Sequence, residues 1–229
     1  MGRRTILRQR DWGKAILNRL DDTYVPPELT RHVRAFKAAQ MGLAAATRHA
    51  RTERERRDAA LQALGRADGT LERAVLGLGK RLAAAGLGPR WNPFARRSGF
   101  TPLQLVQLDH AREVAETERL LARFRGVRTA TPVKKALAAC SEASRSVEGA
   151  RARVQASQQA YARALDVRDA LLHKWTTALA RLERRAKEVW ADNPEMVAQI
   201  FLPLEEDEAS TFLDLRPVLP NVMNGVHTS

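Results

Sequence analysis

Residues 14–86, slid forward by 104 positions without a gap, fall on a segment of the same pattern. Ile16-Leu17-Asn18-Arg19-Leu20 lands on Leu120-Leu121-Ala122-Arg123-Phe124, and Leu71, Ala74, Val75 and Leu78 land on Trp175, Ala178, Leu179 and Leu182. The one shift aligns a short helix, a Pro-containing connector (Pro26-Pro27 against Ala130-Thr131, with Pro132 the next residue) and a long helix. It is not a whole number of heptads, so coiled-coil periodicity alone would not select it. A chain built from a repeated unit is restricted to architectures in which that unit packs against its own copy. The expectation is two tandem helix–connector–long-helix repeats, over 11–86 and 102–192.

Helix formers dominate 28–190 and β-branched residues are thin there, which points to an all-α chain. The first long helix is predicted from about 28 to 85, stopped by Gly86-Leu87-Gly88-Pro89, and the second from 132 to 191, stopped by Asp192-Asn193-Pro194. A short helix is expected over 11–22 after a basic arm at 1–10. Another runs from Pro102 to Arg125, with Thr101 as N-cap and Gln104 completing a capping box.

Small and apolar residues step by threes and fours along each long helix. Phe36, Ala39, Leu43, Ala46 and Ala50 form one seam; Ala136, Cys140, Ala143, Val147, Ala150 and Val154 form the other. Both seams slip by one residue at a corresponding place, then resume as Leu71, Val75, Leu78, Leu82 and as Trp175, Leu179, Leu182, Ala186. Ala-rich seams predict close packing of two antiparallel helices, each about 85 Å long at 1.5 Å per residue. The fold expectation is therefore an elongated antiparallel helical bundle or coiled coil. An aromatic and basic loop (87–101) joins the repeats, and an acidic tail (193–229) follows them, with one or two further helical turns over 195–202 and an irregular remainder.

The net charge of +13 is unevenly spread. Residues 193–229 carry six acids and one base, leaving 38 basic against 20 acidic residues in the remainder. Of the 39 basic residues 32 are Arg, and a joint surplus of Arg and Ala is what GC-rich coding produces, so part of the basicity has a mutational origin. The single Cys140 excludes an intrachain disulfide and fits a reducing compartment. No apolar core follows the basic Met1-Gly2-Arg3-Arg4, and Ile6 breaks a myristoylation pattern. No window reaches the length of a membrane span. The location expected is cytoplasmic.

No grouping that carries chemistry stands out in the sequence. A carboxylate-bridged metal bundle needs Glu three residues before His, and His32, His49, His110 and His173 all lack it. Gly77-Leu78-Gly79-Lys80 lacks the phosphate-loop spacing, and no nucleophile lies beside a base. No catalytic residue, metal ligand, cofactor or small-molecule substrate is expected. The contact candidates are Arg90, Trp91, Phe94, Arg96 and Arg97 in the loop, because aromatics interleaved with Arg suit interfaces. Phe212, Leu213 and Leu215 are the candidates in the tail, which would either fold back or dock on a partner. These features point to a non-enzymatic scaffold or assembly subunit acting through protein partners or self-association. The alternative is non-specific binding of nucleic-acid phosphates by the basic body, with Arg51, Arg54, Arg56 and Arg57 as the contact cluster.

Overall fold

A computed structural model describes residues 3–203, with side chains from Arg8 onward. Six helices follow in order: α1 (Arg3–Asp21), α2 (Pro27–Ala84), α3 (Pro102–Leu105), α4 (His110–Ala122), α5 (Thr131–Val189) and α6 (Pro194–Ile200). There is no strand among the described residues, and no helix there is long and apolar enough to cross a membrane.

The predicted long helices are present within a residue or two at each end. Gly86 stops α2 by taking a φ of 68°, a conformation that costs a residue with a Cβ and costs glycine nothing. Two expectations are corrected. Residues 3–10 continue α1 rather than forming a separate arm. The expected helix over 102–125 is broken, because Asp109 turns its carboxylate onto the Ala111 and Arg112 amides and so starts α4 afresh. The short α3 before it keeps the Thr101–Gln104 capping box.

The chain divides into two compact units. The first holds α1, residues 27–46 of α2, residues 168–189 of α5, and α6. Its core comprises Ile16, Leu20, Leu29, Phe36, Leu43, Leu172, Trp175, Leu179, Leu182 and Ala186, with Val197, Ile200 and Phe201 covering one end. Trp175 is its hub. Phe36 packs at 5.8 Å between ring centroids, Trp12 meets the ring edge-on at 6.2 Å, and the indole N–H donates to Gln40. Gln40 in turn donates to the Arg10 carbonyl at 2.6 Å. Gly13 makes room for this link, since a Cβ there would strike the Gln40 amide and touch Trp175 Nε1. Arg19 and Trp12 both donate to the Leu202 carbonyl, at 2.7 and 3.1 Å, and so tie the end of the α6 segment to α1.

The second unit holds residues 47–167. Leu71, Val75, Leu78 and Leu82 of α2 pack with Val133, Cys140, Ala143 and Val147 of α5, with Val114 and Leu120 of α4 and with Phe94 and Leu105. High-numbered α2 residues thus meet low-numbered α5 residues, while Arg57 lies 4.8 Å over the Tyr161 ring, so the two helices run antiparallel here. Burial falls on the same positions of each unit at the 104-residue offset. Ile16 and Leu120, Leu29 and Val133, Phe36 and Cys140, Leu43 and Val147, Leu71 and Trp175, and Leu78 and Leu182 are all buried. The α2 bounds, moved by the same offset, become 131 and 188, against 131 and 189 for α5.

Candidate functional site

Two features of the second unit stand apart from its packing: the loop between α2 and α3, and a polar cluster between α2 and α4. The loop is mounted rigidly. Phe94 is fully buried in the core, and Asn92, also buried, accepts from the Phe94 amide at 3.1 Å. Arg97 donates to the Leu87 carbonyl at 2.9 Å and lies 4.4 Å over the Phe124 ring. Arg123 closes the arrangement by donating to the Arg97 carbonyl. Of the loop residues singled out from sequence, Phe94 and Arg97 therefore hold the loop to the body. Arg90, Trp91 and Arg96 face solvent, with Trp91 79% exposed. An indole so exposed beside a ring so buried, three positions apart, is set by the anchoring at Asn92 and Phe94. Phe212, Leu213 and Leu215 lie outside the described residues.

The arginine cluster of α2 is charge-paired along its own helix. Arg51 meets Glu55 at 3.0 Å, Arg54 meets Asp58 at 3.7 Å, Arg56 meets Glu53 at 2.6 Å and Arg57 meets Asp58 at 2.6 Å. Residues 51–58 hold four Arg and three acids, a net +1. Glu53 itself is buried, so the charged stretch of the seam is filled by Arg–carboxylate pairs and by Arg57 stacked on Tyr161.

The polar cluster joins Asp68 of α2 to His110 and Glu113 of α4, and one potential ligand atom from each lies within 4.8 Å of the others. His110 Nδ1 and Asp68 Oδ1 are 2.7 Å apart. The side chains of His110 and Asp68 are 44% and 18% exposed, so the cluster opens to solvent on the histidine side. Glu113 is 1% exposed and sits below them. Burial pushes its carboxyl up to about 8, helped by the Asp68 charge, a hydrogen bond with Asp68, and the Glu72 charge. No donor among the described residues reaches Glu113 Oε1. At neutral pH the carboxyl is satisfied by keeping its proton, which it can share with Asp68.

No protein-family model, curated protein or solved structure matches this chain.

This cluster lacks the sequence signature of a carboxylate-bridged bundle, Glu three residues before His. His110 and Glu113 stand at the same spacing in the opposite order, and Asp68 and Glu72 stand one turn apart on α2. Residues three or four apart share a helix face, so each pair was readable as facing one way. That the two faces meet, 42 residues apart in the chain, was not.

Proposed function

We propose that this protein is a non-enzymatic helical scaffold or assembly subunit that docks on a protein partner, or on a second copy of itself, through the loop around Trp91. The observation that carries the reading is the exposed Trp91 indole, flanked by exposed Arg90 and Arg96, on a loop anchored by buried Asn92 and Phe94. Trp and Arg are the residue types most concentrated in the energetic centres of interfaces, and a pre-ordered mount lowers the entropic cost of docking. Phosphate binding by the Arg51–Arg57 stretch is the weaker reading, because each of those arginines already has a carboxylate neighbour. Tandem duplication of a helix–connector–long-helix unit belongs to the same proposal and is supported by the burial pattern at the 104-residue offset.

The test is a photo-crosslinking amino acid placed at position 91 in the producing cells, together with light scattering of the purified chain. A discrete adduct from position 91, lost when the crosslinker is moved to exposed Glu55, supports the reading. A chain that stays monomeric and gives no discrete adduct from position 91 overturns it.

A further inference from the structure

Among the described residues of this strongly basic chain, no Lys or Arg forms an ion pair with the carboxylates of the polar cluster. The sequence has 39 Lys and Arg against 26 Asp and Glu, and most carboxylates of the α2 charge run find an Arg within 4 Å. Among the described residues, no Lys or Arg pairs with Asp68, Glu72 or Glu113; half-exposed His110 is the one basic group bound to any of them. Two carboxylates and an imidazole thus converge from two helices, with the Glu72 charge acting on Glu113 as well. Buried charge is retained where it is paired or where it coordinates a metal. Glu113 adds a second observation: its side chain is buried, offers one carboxylate oxygen to the cluster, and has an Oε1 that meets no donor.

We propose that Asp68, His110 and Glu113 bind a divalent first-row transition ion of the Zn2+ class, which staples α2 to α4 within the second unit. An imidazole nitrogen with two carboxylate oxygens is a borderline donor set that suits Zn2+ better than Mg2+ or Ca2+, which prefer all-oxygen shells. The ion would take the place of the proton between His110 Nδ1 and Asp68 Oδ1. Bonds of about 2.0–2.1 Å put tetrahedral ligand atoms about 3.3 Å apart. The 2.7 Å pair must then open slightly, while the wider separations, at most 4.8 Å, close by up to about 1.5 Å. His110 is a surface side chain and can make that adjustment by rotation. Solvent at the exposed edge of His110 completes the shell, and Glu72, one turn on from Asp68, supplies further negative charge.

Calorimetric titration of the chelator-stripped full chain with zinc chloride tests this, with Co2+ absorption as a spectroscopic check on coordination number. Expected is one equivalent of Zn2+ bound, and affinity at least about tenfold weaker in His110→Ala and in Asp68→Asn, both half-exposed or near-surface positions. Glu113→Gln should weaken binding similarly, His49→Ala should leave it unchanged, and Mg2+ at millimolar concentration should not compete. Circular dichroism of each variant establishes that it is folded. Absence of saturable Zn2+ binding below roughly 100 µM overturns the proposal. So does binding that persists undiminished in folded His110→Ala and Asp68→Asn, since the ion would then sit on other surface histidines.

Discussion

Replacing Glu113 by Gln should make this protein more stable near pH 8 and leave it little changed near pH 5. Glu113 is buried above the core with Asp68 and Glu72 beside it, and its carboxyl is raised from 4.5 to about 8. The sign follows from proton counts. Between those two pH values the folded chain holds a proton that the unfolded chain has released, so rising pH draws the equilibrium toward the unfolded state. The penalty is absent below the lower value, grows by about 1.4 kcal/mol per pH unit, and levels off above the upper one. At pH 5 it is below about 1 kcal/mol, and by pH 7.5 it reaches about 4 kcal/mol. Gln is isosteric, cannot ionise, and can still donate a hydrogen bond to Asp68. Its advantage over the natural chain should therefore open steadily across this window. Urea denaturation followed by circular dichroism, in the presence of chelator, measures both chains at successive pH values. A difference that is flat with pH, or a Gln variant weaker at pH 8, would refute the claim that burial holds this carboxyl protonated.

The other predictions concern packing. Gly13→Ala should destabilise the first unit by about 2 kcal/mol, because the added methyl must break the Gln40–Trp175 hydrogen bond or push α1 outward; Gly65→Ala, with open space around it, should stabilise by up to about 1 kcal/mol. Thermal melts of the two variants should move in opposite directions. Phe94→Ala should cost about 3–5 kcal/mol and Trp91→Ala no more than about 0.5, although both are aromatic residues of one loop; equal costs would contradict the buried and exposed placements. Cys140, buried with its thiol pushed up to about 12, should resist a thiol reagent at pH 8 until the chain is unfolded. Labelling of the folded protein within minutes would contradict that burial.

Periodicity determined most of the architecture. Phe36, Leu43, Val147, Leu71, Leu78 and Leu182 were picked out by spacing alone and are all buried, because a helix presents residues three and four apart on one face whatever it packs against. The helix stop at Gly86 and the Thr101–Gln104 capping box were likewise readable, since both depend on a few consecutive residues. The start of α4 at Asp109 was as local as these, and was missed because an unbroken apolar pattern concealed an N-cap residue. What tertiary structure alone decided are the choices between chemically equivalent residues and between distant ones. Nothing in residue type distinguishes Trp91 from Phe94; the core of the second unit takes one ring and leaves the other in solvent. Nothing local joins Asp68 to His110 either. Each pair, Asp68 with Glu72 and His110 with Glu113, reads as an ordinary polar helix face. The two faces meet only in the tertiary structure, which buries the Glu113 carboxyl beside Asp68 and leaves its Oε1 without a donor, so that the group keeps a proton at neutral pH.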